Sequence, residues 1–409
     1  MRLLLKLAWR NIWRNKRRSI LTLAAVTFAV LMAIGMRGIQ LGTYALNIKT
    51  AVELFSGYLQ VQTKGYNETP KLSLCFREDK NIKSAIESTK GIQSYSSRVY
   101  ADGLISFKDN SRGVAIFGIQ PDKEKEVTTF VENIDTGKFF TSDSSDEIVV
   151  GSQLLKNLNA KIGDEVVLLA QGFDGSLGNQ KFKIVGTVRL GVQEMEATVV
   201  FMGLKSAQSL LALGNKVNVI AIKANDLNNL NEIKNSLNTK LPNKNLTVLP
   251  WNQVNPELQQ AIQLDNISGI LFLGILIVIV AFGILNTVLM SVTERFREFG
   301  VILSIGMPQK KLTYLVYIET LFIALIGLLF GNLLGYFVNY YLILHPIVFG
   351  GELKKLYELY HFLPELRSSL QISIFIYVSF SIIGISILSC LYPAYRVYKL
   401  EPLKGIRQT

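Results

Sequence analysis

Few residues in this chain have the types and spacing that chemistry requires. Its 409 residues include two histidines, His345 and His361, and two cysteines, Cys75 and Cys390. They form no zinc-spaced Cys/His cluster. No G-x-x-x-x-G-K-[ST] loop occurs, and Gly175 to Gly178 lacks the Lys and Ser/Thr that hold phosphates and Mg²⁺. One acid, Glu319, stands inside a long apolar run. Such groups default to functional roles, yet Glu319 lies close enough to Leu312 to snorkel or to pair with Arg297, and no proton path is assigned to it. The densest constellation is VTERFREFGVILSIGMPQKKL, in which Glu294, Arg295, Arg297, Glu298, Phe299 and Gly300 lead through an apolar run to Gly306. A short helix with apolar residues between charges suits insertion into a partner's groove, the charges setting orientation. On the residues alone, a solvated hairpin turn with anchoring charges is an equal reading. Any work the protein does therefore draws chemical energy from a partner chain.

The elements that position these residues are legible in the charge pattern. The net charge is +12, and the excess is confined to the flanks of long uncharged stretches. Residues 1–18 carry Arg2, Lys6, Arg10, Arg14, Lys16, Arg17 and Arg18 without an acid, whereas 41–266 is balanced. The uncharged stretches are 19–36, 266–293, 312–344 (Glu319 apart) and 368–395. A helix needs about 20 apolar residues to cross the hydrocarbon, so each qualifies as a span. Basic residues beside spans mark the cytoplasmic side, which puts both termini inside and 41–266 outside. The first span reads as a retained anchor, because no A-x-A cleavage site follows it. The basic excess is juxtamembrane, so it does not point to nucleic acid. The two middle runs exceed the bilayer thickness, and outward protrusion of the second would make a stalk.

The expected division is a cytoplasmic interfacial helix over 1–18, spans over 19–40, 267–293, 312–344 and 368–395, a cytoplasmic helix and loop over 294–311, an outer loop over 345–367 and a cytoplasmic tail over 396–409. On the N-terminal helix Leu4, Leu5, Ala8, Trp9, Ile12 and Trp13 fall on one side and Lys6, Arg10, Arg14, Arg17 and Arg18 opposite, the pattern of a helix lying at the headgroups. The competing reading is a generic basic topology signal. The region 41–266 reads as mixed α and β, with strands at 57–62, 114–119, 166–170, 182–188, 198–202 and 217–222 and helices at 81–89, 152–159, 205–213 and 227–241. Topology separates Cys75 from Cys390, so no bridge between them is expected. In the third span Gly327, Gly331 and Gly335 recur every four residues, which lets another helix approach closely. Packing within the chain is favoured over a dimer contact.

Three phrases in order, LAWRNIWRNKRRSILT, NTVLMSVTERFREFGVILSIGM and YPAYRVYKLEPLKGIR, resemble the permeases of the MacB/FtsX/Lol type, the mechanotransmission (type VII) class of ABC transporters. The resemblance covers essentially the whole chain and is nearest the lipoprotein-releasing LolC/LolE-like branch, on a separate permease and the HFLPELR segment. It implies an α-helical membrane protein with four transmembrane helices and a large extracytoplasmic α+β domain, a porter-like lobe with a β-rich insertion at about 110–203. It implies that Glu294, Arg295, Arg297, Glu298, Phe299, Gly300 and Gly306 form the coupling helix that docks on the ATPase, and that Pro393, Ala394, Arg396, Pro402 and Arg407 belong to the tail pattern. The chain would bind no cofactor or metal, with ATP and Mg on a partner ATPase dimer. The other implied partners are a second permease (homodimer or sister subunit), an extracytoplasmic acceptor or carrier and the lipid membrane. The expected place is the bacterial inner membrane, and the expected function is extraction or export of a lipoprotein or other lipid-linked, amphipathic cargo from its outer leaflet. Candidate cleft residues, chosen on helical position between spans one and two, are Met36, Ile39, Leu41, Tyr44, Ile262, Ile267, Ile270 and Leu271. The alternatives are a non-transporting relay that activates an extracytoplasmic hydrolase, and MacB-like efflux of a peptide or drug.

Overall fold

The computed structural model describes residues 2–14, 16–227, 229–359 and 363–400. His361 and Phe362 of the HFLPELR segment, and the tail residues Pro402 and Arg407, lie outside the described residues. The chain divides into a membrane unit (Met1–Ala45, Ile262–Phe349, Glu365–Thr409) and an inserted domain (Leu46–Ala261, Gly350–Pro364).

Six helices make the membrane unit's frame: α1 (Arg2–Arg14), α2 (Lys16–Ala51), α3 (Pro256–Glu294), α4 (Phe296–Ser304), α5 (Gln309–Leu344) and α6 (Ile372–Tyr398). Of these α2, α3, α5 and α6 are long and apolar enough to cross a membrane. At 1.5 Å per residue α2 and α3 are roughly 54 and 58 Å long, well beyond the ~30 Å hydrocarbon layer. Their low amphipathicity follows from the solvent. In lipid an apolar residue is tolerated on every face, so only the helix-facing side is distinguished, and there by size. Gly327, Gly331 and Gly335 of α5 show this against α2: a Cβ on them would lie 2.7 Å from Val26, 2.5 Å from Val30 and 2.8 Å from Ile34. One step further out, buried Asn339 donates to the Ile34 carbonyl at 3.1 Å, a hydrogen bond between the same two helices.

The inserted domain is built on one ten-stranded sheet. In chain order its strands are β1 (Leu59–Thr63), β2 (Ile92–Phe107), β3 (Asn110–Ile119), β4 (Ile134–Gly137), β5 (Glu147–Gly151), β6 (Glu165–Gln171), β7 (Leu177–Val188), β8 (Val199–Gly203), β9 (Val219–Ala224) and β10 (Leu246–Pro250). They lie in the order β10-β1-β9-β2-β3-β8-β5-β7-β4, with β6 paired to β2 and β7. The 16-residue β2 joins the halves. Its residues 92–98 pair with β9 and 99–107 with β3, so the strands of 110–203 continue the sheet that the flanking segments begin. One face is the main apolar core, with Leu59, Val61, Val99, Val114 and Ile116. The opposite face carries a second cluster around Phe130, Phe140 and Phe201. Beside that cluster lies a fully buried ion pair, Arg98 with Glu124 at 2.6 Å. Burial alone would lower the Arg98 pKa, but the Glu124 charge and hydrogen bonds outweigh it and the guanidinium is held above its ordinary value.

Candidate functional site

The charged constellation of 294–306 folds as the end of α3, a break at Arg295 and the nine-residue α4. At the break the Arg295 side chain turns inward. It is 7% exposed, and its Nη1 donates to both carboxylate oxygens of Glu319 on α5 at 3.1 and 3.0 Å. Its Nε donates to Glu298 at 3.3 Å, and its guanidinium lies 4.8 Å from the Phe299 ring centroid. Asn11 of α1 completes the shell of Glu319 with a 2.5 Å hydrogen bond. The expected partner Arg297 instead faces outward. The break sets this, because it moves residue 295, and not 297, onto the side that meets α5.

The N-terminal helices engage the remaining acids. Arg14 of α1 donates to both oxygens of Glu298 at 2.9 Å, and Arg18 of α2 to the two oxygens of Glu294 at 2.7 and 2.9 Å. Burial pushes the Glu298 carboxyl up, but the hydrogen bond and charge of Arg14, then those of Arg295, hold it below the usual carboxylate range. Ala8 and Ile12 of α1 are buried, and Trp9 meets Phe322 of α5 edge-on at 6.1 Å. Ion pairs thus tie α4 to α1, the break before α4 to α5, and the end of α3 to α2.

Of the seven residues expected to dock on an ATPase, Arg295, Phe299 and Gly300 are buried in the membrane unit, so they hold α4 and do not present a surface. Glu294 and Glu298 are exposed but paired, and Arg297 and Gly306 are exposed. Val301 and Ile305, from the apolar run of the same segment, are 45% and 81% exposed. With Arg297 they are spaced by four, so they share one face. That spacing was visible in the sequence; which face α4 would bury was not.

The candidate cleft residues differ in exposure. Ile267, Ile270 and Leu271 are exposed on α3, while Met36, Ile39, Leu41 and Ile262 are half-buried. Tyr44 departs from the expected apolar face: it is buried, and its hydroxyl donates to Asp265 at 2.5 Å. Polar groups cluster around that bond. Gln40 donates to the Asp265 carboxylate at 2.9 Å, and Arg37 donates to Gln40 at 2.5 Å and to Asn266 at 2.7 Å. Close approach is possible because residue 269 of α3 is glycine, where a Cβ would lie 2.4 Å from the Gln40 amide. Beneath this cluster a cavity of about 150 Å³ opens between α2, α3 and α6, with Ala33, Leu41, Leu273, Leu276, Ile374 and Val378 on its walls and Arg37 at its lining. Among the described residues no group of three His, Cys, Asp or Glu is arranged to hold a metal ion.

Two family models match the chain. The FtsX-like permease C-terminal model matches residues 270–402, and the MacB-like periplasmic core domain model matches residues 19–240. Among curated proteins the chain is similar to the lipoprotein-releasing system transmembrane protein LolC of Neisseria meningitidis, 23% identical over 91% of this chain and 93% of that protein. It is similar to the ABC transporter permease YtrF of Bacillus subtilis, 24% identical over 98% of this chain and 97% of that one. It is also similar to the macrolide export ATP-binding/permease protein MacB of Campylobacter jejuni, 22% identical over 81% of this chain and 53% of that protein.

Proposed function

Because this chain belongs to the family of FtsX-like permeases that carry a MacB-like periplasmic core domain, and is thus an ABC transporter permease in the inner membrane, we propose that it draws a lipid-linked polypeptide out of the outer leaflet. ATP hydrolysis occurs on a partner ATPase. The ATPase docks on Arg297, Val301, Ile305 and Gly306, an exposed face with one charge among apolar side chains, suited to a groove. Its closure moves α4, and the ion pairs Arg295–Glu319, Arg14–Glu298 and Arg18–Glu294 carry the motion to α5, α1 and α2 together. A second permease, identical or a sister, faces this one, and an extracytoplasmic acceptor receives the cargo. Basic α1 and the 294–311 loop face the cytoplasm, in keeping with the charge asymmetry of the sequence.

The observation that carries the cargo class is the largely apolar cavity between α2, α3 and α6, whose α3 wall belongs to the same helix that exposes Ile267, Ile270 and Leu271. An acyl chain leaving the bilayer needs continuous apolar surface, each buried CH₂ contributing about 0.8 kcal/mol. The likeness to a LolC protein over nearly its whole length supports the same reading. The test places a photo-crosslinker at Ile39 or Ile267 in the assembled complex. Acyl-bearing polypeptide is captured in the nucleotide-free state, and the yield falls when ATP with a trapping anion closes the complex. Crosslinks to bulk phospholipid alone, unchanged by nucleotide, overturn the proposal and leave the relay or the efflux of another substrate.

A further inference from the structure

The inserted domain contains a cavity of about 610 Å³ to which nothing above gives a role. Its size is within the ~300–1,000 Å³ typical of ligand sites. It lies on the sheet face opposite the main core, where alternation brings Gln60 and Gln62 of β1, Tyr100 of β2 and Phe117 of β3 to one side.

Two glutamines on a buried strand are unusual, and their hydrogen bonds orient them. Gln60 Nε2 donates to the Ser56 carbonyl at 2.7 Å, so its Oε1 faces Gln62, which must turn its own Nε2 toward it at 2.5 Å. That leaves Gln62 Oε1, on a residue 2% exposed, as a buried acceptor with no partner. Across the same cavity lining, Asn255 Nδ2 is a buried donor with no partner. Buried polar atoms are nearly always paired, and leaving one unpaired costs about 1–3 kcal/mol. The two orphans call for one N–H and one C=O, the complement that a peptide unit offers. The charged residues on the lining, Lys71 and Asp102, are exposed, while Phe55, Tyr66 and Phe117 supply apolar walls. A second cavity of about 390 Å³ shares Phe55, Met195, Val254 and Asn255 with the first and adds Leu54, Leu190 and Leu258, room for a bulky apolar side chain.

We propose that this pair of cavities binds a short, uncharged, extended peptide segment, with Gln62 and Asn255 taking its backbone and the aromatic wall taking a large apolar side chain. The site does not depend on what passes between the membrane helices. The segment belongs either to a lipid-linked cargo or to a soluble protein docked on the domain.

The test uses the full-length protein in nanodiscs and a pool of acetylated, amidated pentapeptides with phenylalanine or leucine at the centre and glycine or serine elsewhere, followed by saturation-transfer NMR. Saturable binding is expected, weakened roughly tenfold by Gln62→Met, as for loss of one buried hydrogen bond. Phe173→Ala, at a lining position on an exposed loop, weakens binding without touching the sheet. Replacing the flanking serines with glutamate or lysine abolishes it. An N-palmitoylated pool that competes with the first assigns the segment to lipid-linked cargo, and one that does not compete assigns it to a soluble polypeptide. Absence of saturable binding, or binding indifferent to both variants, overturns the proposal.

Discussion

Arg295 and Glu319 form a two-pronged ion pair between the break that follows α3 and the first half of α5, with Arg295 Nη1 at 3.1 and 3.0 Å from the two carboxylate oxygens. Both residues are largely withdrawn from solvent, with Asn11 also donating to Glu319 and Arg295 also reaching Glu298. Removing one leaves a buried charge, which typically costs about 3–5 kcal/mol, whereas replacing both by apolar groups costs far less. Glu319→Ala is therefore expected to lower the thermal midpoint of the detergent-solubilised protein sharply. The double variant Glu319→Leu/Arg295→Met recovers most of that loss, which a double-mutant cycle reads directly.

Coupling is tested at the other end of the network. Glu298→Lys reverses the partner of Arg14 at an exposed position, so insertion and abundance stay unchanged while cargo release separates from ATP hydrolysis. The charge exchange Arg14→Glu with Glu298→Arg restores the pair and the coupling. Normal release by Glu298→Lys alone excludes α4 as the transmitting element.

The same pair has a pH signature. Because the Glu298 carboxyl is held below the usual carboxylate range, its contribution is fully present above that range and is lost as pH falls through the depressed value. Hydrogen-exchange protection of α1 is expected to be flat from pH 8 to about 5 and to fall only below about pH 4. A loss of protection near pH 6 would show that another group holds α1.

Span packing is tested at Gly331, where an added Cβ would lie 2.5 Å from Val30. Gly331→Val is expected to destabilise the membrane unit by about 1–3 kcal/mol through overpacking. Val30→Ala in the same chain relieves most of this, measured as the midpoint of unfolding in mild detergent.

In the inserted domain, Glu124→Ala leaves Arg98 buried with Tyr100 and the Phe55 carbonyl but without its counter-charge. A loss of about 3–5 kcal/mol is expected, seen as proteolysis of the domain while the spans remain inserted.

The orientation expected from the charge asymmetry is tested with reporters. One fused after Thr409 is expected to be cytoplasmic and one inserted at Gly175 extracytoplasmic; finding both on one side contradicts four spans with both ends inside.

The sequence by itself determined the spans, because crossing a bilayer demands a run of apolar residues whose length and flanking charge do not depend on tertiary contacts. It also determined the family-bearing phrases, the close-packing glycines at 327, 331 and 335, and the strands whose buried positions are apolar, such as β3 and β8. The longest strand, β2, was not legible. Beside Val99 and Ile105 its buried positions hold Ser94, Ser96, Ser97 and Arg98, and the charge of Arg98 is acceptable there only because Glu124, on a separate segment, pairs with it. For the same reason Arg295 read as a surface charge and Tyr44 as part of an apolar face. Each is placed by one distant carboxylate, Glu319 or Asp265, and only the folded chain brings such pairs together. Tertiary structure likewise decided which side of α4 remains exposed, since periodicity defines faces but not which of them a neighbouring helix will cover.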